Sequence, residues 1–174
     1  MGKLKSAKAK GTSFETQIRK DLEEAGAMNS RRQPLSGALD AFPGDVILDP
    51  QGWALQIECK HHKTISHYDR YEKARLLCDG AAIETGGGRF YWLTHECFLD
   101  LIRRAYAGGG LPVLRLASLK VAGVNTVFNG WRKGCDLLVV KPNHKPPRWW
   151  VPESAFWDIA NCAAQGAFTT ESAA

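Results

Sequence analysis

The chain has 174 residues, of which 44% are hydrophobic and 24% charged, a composition typical of one globular domain with a hydrophobic core. It contains no run of eighteen uncharged apolar residues, and no apolar segment follows its basic N-terminus, so we expect neither a membrane span nor a secretory signal. Its five cysteines are widely spaced and include no C-x-x-C pair, which favours reduced thiols over a zinc site or a disulfide framework.

The net charge of +5 is concentrated at the N-terminal end, where residues 1–35 hold eight Lys or Arg against four acidic residues. Basic patches of this kind are typical of polyanion binding, although a solvated lysine tail gives the same pattern.

The N-terminal part of the sequence predicts a tail, a helix, a loop and a hairpin. Residues 1–10 alternate lysine with small residues and are expected to form a flexible basic tail. Residues 12–26 have a Thr-Ser cap and an apolar stripe at a spacing of four, which predicts a helix. Residues 28–44 form a long polar loop of the kind that often carries function. Two strand-forming runs, 46–48 and 53–60, then flank the turn sequence Asp-Pro-Gln-Gly.

The C-terminal part alternates further helices and strands. In chain order, the predicted elements are a helix over 65–84, a helix over 94–108 capped by Thr94, a strand over 111–119, a turn-rich link over 128–134, a strand over 135–141, and a strand leading into a helix over 146–160. Residues 11–163 are therefore predicted to form a single α/β domain with a central sheet covered by helices, followed by a flexible C-terminal tail over 164–174.

The predicted hairpin carries charges that are costly to bury in isolation. Glu58 and Lys60 are two residues apart on a strand and project from one face, whereas Ile57 and Cys59 point into the core. Asp45 begins the partner strand, so its carboxylate can meet Glu58 at one end of the hairpin. Converging carboxylates repel each other unless a cation lies between them, and Mg²⁺ prefers oxygen ligands. A surface Glu-Lys pair on an edge hairpin is the alternative interpretation.

The order of these motifs resembles the PD-(D/E)xK nuclease superfamily, and more closely its archaeal-type Holliday junction resolvases and their phage relatives. The family pattern has a basic-Gly pair, a helix with a glutamate, an arginine, a Ser-Gly loop, Gly-Asp-Val and a strand ending in Glu-x-Lys. The matching positions here are Lys10-Gly11, Glu15, Arg31 and Arg32, Ser36-Gly37, Gly44-Asp45-Val46 and Glu58-Cys59-Lys60. The resemblance is dense over residues 10–63, whereas residues 64–92 and 118–134 are longer than in compact members of the family.

The resemblance implies a restriction-endonuclease-like three-layer fold, with a central mixed sheet flanked by helices, and a Mg²⁺-dependent DNA endonuclease in which Mn²⁺ can substitute. Asp45, Glu58 and the backbone carbonyl of Cys59 would then be metal ligands. Glu15 would approach the same ion directly or through water, and Lys60 would serve the attacking water. The implied DNA contacts are Lys10, Arg31, Arg32, Ser36, Lys63 and Arg115, with Lys120 as the alternative to Arg115.

The leading hypothesis is a cytoplasmic nuclease, from a prokaryotic or phage-infected cell, that resolves four-way junctions as a homodimer during recombination, repair or phage DNA processing. A junction needs two symmetric cuts, which a two-fold dimer supplies. Aromatic residues near the C-terminus offer material either for a dimer interface or for the core, namely Trp149, Trp150, Phe156 and Trp157. The alternatives are a restriction-like or repair nuclease acting on linear duplex, a non-catalytic DNA-binding protein with the same fold, and a basic interaction module.

Overall fold

The computed structural model describes residues 7–28, 30–33, 44–48, 55–107, 110, 114–123 and 126–165. Within these ranges the helices are α1 (Ala7–Glu24), α2 (Tyr68–Arg75), α3 (His95–Ala107), α4 (Thr126–Arg132) and α5 (Glu153–Gln165). The strands are β1 (Arg31–Arg32), β2 (Val46–Leu48), β3 (Leu55–His62), β4 (Gly80–Thr85), β5 (Gly88–Thr94), β6 (Leu116–Lys120), β7 (Leu137–Pro142) and β8 (Arg148–Pro152).

The described strands form one mixed sheet in the order β1-β2-β3-β7-β8-β5-β4-β6. Strand β3 is parallel to β7 and β4 is parallel to β6, whereas the other neighbouring pairs are antiparallel. The predicted hairpin is confirmed as the antiparallel pair β2–β3, in which Val46 lies opposite Ile57. The predicted turn between these strands lies outside the described residues.

Helices cover both faces of this sheet. On one face, α1, α3 and α5 bury side chains that include Ile18, Phe98 and Phe156 in one apolar cluster. On the other face, α2 and α4 bury Tyr71 and Phe128 in a second, largely aromatic cluster. The three-layer α/β architecture with a mixed central sheet is the fold class predicted from the sequence, and it is consistent with a restriction-endonuclease-like fold.

Helix α3 forms where its sequence pattern predicts it. The Cys97 backbone N–H donates to Thr94 Oγ1 at 3.1 Å, so Thr94 caps the helix as expected. The predicted apolar face is buried, with Phe98 and Ile102 fully inaccessible to solvent. Strands β7 and β8 and helix α5 also lie in the segments where they were predicted.

Helix α1 is longer than its sequence pattern indicated. It begins at Ala7 rather than at residue 12, so the last residues of the predicted tail are helical. Thr12 lies inside the helix and is not its cap, and its carbonyl accepts a hydrogen bond from Thr16 Oγ1 at 2.9 Å. The Ala-Lys-Ala-Lys sequence consists of strong helix formers, which explains why the helix extends through it.

Four other predicted elements were wrong in part. The strand predicted over 111–119 is observed as β6 (Leu116–Lys120), which leaves the described residues 114 and 115 outside it. The helix predicted over 65–84 covers only Tyr68–Arg75, and the segment after it forms strand β4. Ala81 and Ile83 are both fully buried two residues apart, so the sheet environment outweighs the helix propensity of this segment. The link predicted over 128–134 contains most of helix α4, whose Phe128 is fully buried. The predicted long loop contains the short strand β1.

The C-terminal aromatic residues are mostly core residues and not surface residues. Trp149 and Trp150 are fully buried and Phe156 is 4% exposed, whereas Trp157 is 46% exposed. Of the two alternatives, the core role is therefore the correct one for the first three, because they fill the two apolar clusters.

All five cysteines are free, and Cys59, Cys97 and Cys135 are buried. None of the described helices is long and apolar enough to cross a bilayer.

Candidate active site

The hairpin register brings Asp45 and Glu58 together. Val46 pairs with Ile57, so the residue before Val46 lies opposite the residue after Ile57. The Asp45 backbone N–H donates to the Ile57 carbonyl at 2.8 Å, and Asp45 Oδ2 accepts from the Cys59 backbone N–H at 2.8 Å. These two bonds fix the Asp45 carboxylate at the start of β2, close enough to Glu58 for its charge to raise the pKa of the Glu58 carboxyl group.

Glu58 and Lys60 form an ion pair on one face of β3, with 2.9 Å between Lys60 Nζ and Glu58 Oε1. Burial raises the pKa of Glu58, the Asp45 charge raises it further, and Lys60 opposes both effects without cancelling them. The single ammonium group therefore does not neutralise the two carboxylates. The predicted alternation is confirmed, since Ile57 and Cys59, which alternate with these residues along β3, point into the core.

Glu15 reaches the same region from helix α1. Its carboxylate pairs with Arg32 of β1, with 3.0 Å between Arg32 Nη2 and Glu15 Oε2. Burial raises the pKa of Glu15, the Asp45 charge adds to this effect, and Arg32 and Lys60 oppose it. Asp45 is therefore close to both glutamates. The motifs that are separate in the sequence thus form one charged cluster in the fold.

The donor atoms of this cluster suit a hard divalent cation. Asp45 and Glu58 offer carboxylate oxygens, which Mg²⁺ and Mn²⁺ prefer. The Cys59 N–H points toward Asp45, and because the N–H and C=O of one strand residue point to the same edge, its carbonyl also faces that side. Within the described ranges, no group of three or more His, Cys, Asp or Glu side chains is arranged closely enough to hold a metal ion. Since Mg²⁺ usually binds through one or two carboxylates and keeps several waters, the two carboxylates and one carbonyl still fit it.

Cys135, which the sequence did not single out, and Gly44 of the Gly-Asp-Val motif shape this cluster. Cys135 Sγ lies 3.8 Å from Glu58 Oε2, in position to donate a weak hydrogen bond. Gly44 has a φ of +88°, and a Cβ there would lie 3.1 Å from the Ile57 carbonyl oxygen and 3.2 Å from Cys135 Sγ. Glycine is therefore required before Asp45, which gives a physical reason for the Gly-Asp sequence. No local signal identifies Cys135, because it is distant from Glu58 in sequence.

The predicted DNA contacts are only partly brought together. Arg31 and Lys63 are exposed, and Lys10 is half-buried on α1. Ser36 lies outside the described residues. Arg115 precedes β6, five positions from β3 in the sheet, which corresponds to about 24 Å at the usual strand spacing. It therefore does not join the charged cluster, and its backbone N–H is bonded to Asp79 Oδ2 at 2.8 Å.

Taken together, the fold and the charged hairpin have the features of a restriction-endonuclease-like protein. Residues 6–70 match a family described as "Phage putative PDDEXK endonuclease", and this segment includes α1, β1, β2 and β3. The match supports the PD-(D/E)xK superfamily and indicates a nuclease, but it is not a match to the archaeal-type Holliday junction resolvases. Comparison with curated proteins and with solved structures gave no match.

Proposed function

We propose that the chain is a divalent-metal-dependent DNA endonuclease, with Asp45, Glu58 and Lys60 at its catalytic centre. The observation that carries the proposal is the convergence of Asp45 and Glu58 at the end of a hairpin, where burial and mutual repulsion raise the pKa of Glu58. A non-catalytic DNA-binding protein would gain nothing from two carboxylates facing a polyanion. The family match over this segment agrees with the nuclease assignment.

Asp45, Glu58 and the Cys59 carbonyl would hold Mg²⁺, or Mn²⁺ in its place, and Glu15 would approach it through water. When bound, such an ion polarises the phosphate and lowers the pKa of a bound water. In the hydrolysis that we propose, water adds to phosphorus and the bond to the 3′ oxygen breaks, leaving a 5′-phosphate and a 3′-hydroxyl.

The chain's own residues contribute position and charge to this reaction. Glu58 holds the Lys60 ammonium at 2.9 Å, so that its remaining N–H groups can donate to the attacking water or to a phosphate oxygen. A cation fixed at this point stabilises negative charge as it develops on the phosphoryl oxygens. Arg32 is exposed beside Glu15, and it is positioned to exchange this carboxylate for a DNA phosphate.

The substrate that we propose is branched DNA, with the four-way junction as its leading form and a homodimer as the cutting unit. Two symmetric cuts need two sites, and the described residues of each chain contain one charged hairpin. The surface that would join two copies is not identified by the C-terminal aromatic residues, of which Trp157 alone is substantially exposed. The alternative within the same class is a nuclease acting on linear duplex.

The test is incubation of the purified protein with a labelled four-way junction and a matched linear duplex, with Mg²⁺ or with chelator. Asp45→Asn, Glu58→Gln and Lys60→Ala are each expected to abolish cleavage while preserving the fold and most of the DNA binding. Glu84→Gln is the matched control, because Glu84 is an exposed carboxylate on β4 in the other half of the sheet. Cleavage that persists in excess chelator or in either carboxylate variant would refute the metal site.

The choice of substrate has separate readouts. Faster cleavage of the junction, with a dimer in sedimentation, supports resolution of branched DNA. Equal rates on junction and linear duplex, or a monomer on DNA, would support the linear-duplex alternative and leave the catalytic residues in place.

A further inference from the structure

A second group of basic residues lies where the parallel strands β3 and β7 end. Because parallel strands end at the same edge of the sheet, the sequences His61-His62-Lys63 and Lys141-Pro142-Asn143 lie side by side. The Asn143 backbone N–H donates to the His62 carbonyl at 3.0 Å, which fixes the two segments together. We call Lys10, His61, Lys63 and Lys141 the basic rim.

Helix α1 contributes Lys10 to the basic rim and packs against His61. The His61 ring packs edge-on against Phe14 of α1, with 5.7 Å between the ring centroids, and it lines one pocket together with Lys10 and Lys141. His61 therefore joins α1 to β3 and β7. This arrangement orders the part of the rim that carries Lys10 and Lys141.

A pocket of about 240 Å³ lies between these elements. Its walls combine polar and charged residues with apolar ones, namely Lys10, Ser13, Gln17, Asp21, His61 and Lys141 together with Phe14, Ile18 and Pro147. Since the α1 residues of this wall are spaced by three or four, they share one flank of the helix. Glu15 lies on the opposite flank, so the pocket is distinct from the charged hairpin.

The lysines of the basic rim are not paired with carboxylates in the described residues. Lys10, Lys63 and Lys141 form no ion pair within the part of the chain that the structure describes. One carboxylate, Asp21, also lines the pocket; it accepts a hydrogen bond from Gln17 Nε2 at 2.8 Å and lies 2.8 Å from His95 Nε2. Lys10 and Lys141 line the same pocket beside Ser13, and lysine ammonium groups without a carboxylate partner suit a phosphate group.

We infer that the basic rim and its pocket bind a backbone phosphate of the DNA substrate a few nucleotides from the cut. This inference rests on the proposed nuclease function. His61 directly follows Lys60 in β3, so a strand that contacts Lys60 can reach the rim around the end of the sheet. Lys141 and His61 thereby become DNA contacts in addition to the predicted Lys10 and Lys63.

The experiment measures DNA binding by the full chain carrying Asp45→Asn, which prevents cleavage, with fluorescence anisotropy over a range of salt concentrations. Adding Lys141→Gln or Lys10→Gln is expected to weaken binding by about tenfold at low salt and to reduce the slope of log K against log [salt] by about 0.9. Lys73→Gln is the matched control, because Lys73 is an exposed lysine on α2, which packs on β4 and β6. This control should bind with unchanged affinity and slope.

The outcomes separate the inference from the proposed function. If Lys141→Gln and Lys10→Gln bind DNA with the affinity and salt slope of the parent, the rim is not on the DNA and the inference fails, while the nuclease proposal stands. If the Asp45→Asn parent does not bind DNA at all, both fail. A third outcome combines three observations: inorganic phosphate raises the melting temperature of the parent, Lys141→Gln removes this increase, and Lys141→Gln leaves DNA binding unchanged. In that case the pocket holds a free anion and the inference is overturned. Unchanged melting temperatures of the ligand-free variants exclude misfolding as the cause of weaker binding.

Discussion

Replacing Glu72 with glutamine is expected to destabilise the folded protein by about 3 kcal/mol at neutral pH. The Glu72 carboxylate accepts hydrogen bonds from Arg148 Nε at 2.7 Å, Arg75 Nη2 at 2.8 Å and Trp92 Nε1 at 2.9 Å. It thus joins helix α2 to strands β5 and β8 in the centre of the sheet. Arg148 is 7% exposed, so removal of the Glu72 charge leaves a buried guanidinium without its counter-charge.

The magnitude follows from the pKa of Glu72. Burial by itself raises this pKa, but hydrogen bonds from Arg75, Arg148 and Trp92 outweigh burial and lower it from 4.5 to about 2. The gap of about 2.5 between these values corresponds to about 3 kcal/mol of stability when the carboxylate is ionised. Breaking a buried ion pair by removing one partner costs about 3–5 kcal/mol in general, which agrees with this value.

The assay is urea unfolding of the wild type and Glu72→Gln between neutral and acidic pH. Because the folded-state pKa of Glu72 is depressed, its stabilisation is complete above the unfolded-state pKa and is lost as the pH falls toward the folded-state pKa. The difference between the two proteins should therefore be full at neutral pH and should shrink as the pH falls from about 4.5 toward about 2.

Glu84→Gln provides the control, because the Glu84–Arg89 pair is exposed at the surface and its loss should change stability little. Equal stability of wild type and Glu72→Gln at neutral pH would refute the reasoning. A difference that is independent of pH would also refute it, since it would have to arise from packing and not from charge.

Two further predictions concern the hairpin. Gly44→Ala is expected to destabilise the fold by about 1–3 kcal/mol, because φ is +88° and the new Cβ would lie 3.1 Å from the Ile57 carbonyl oxygen. Urea unfolding measures this loss, and an unchanged urea midpoint would contradict the prediction. Glu58→Gln is expected to raise the melting temperature of chelator-treated protein at neutral pH, because burial and the Asp45 charge raise the pKa of Glu58 and make its ionised form costly. This gain should vanish in acid, where Glu58 is protonated, and a lower melting temperature at neutral pH would contradict the sign.

The parts of the fold that the sequence predicts are those set by local patterns. Helix α3 follows from its cap at Thr94 and from apolar residues at helical spacing. The β2–β3 pair follows from two strand-forming runs around a turn, and its period of two places Glu58 and Lys60 on one face. The convergence of Asp45 with Glu58 could therefore be predicted without a structure.

The parts that could not be predicted depend on contacts between distant segments. Strand β4 contains helix-forming alanines, but its pairing with β5 and β6 determines its structure. Cys135 reaches Glu58 because β7, which begins two residues later, pairs in parallel with β3. Arg115 resembles a further site residue by position in the chain, yet the strand order places it at the other edge of the sheet. Nothing in the local sequence encodes these relations, because they arise from sheet topology.

The opposite pKa shifts of Glu72 and Glu58 indicate that the hairpin charge does not stabilise the fold. The two side chains are similarly shielded, with 21% and 17% of their surface exposed. Arginine and tryptophan donors lower the pKa of Glu72, whereas Glu58 faces Asp45 and one lysine, and its pKa is raised. A fold selected for stability alone would place donors around Glu58 as it does around Glu72. The excess negative charge beside Lys60 therefore supports the cation site that we propose there, independently of the family match.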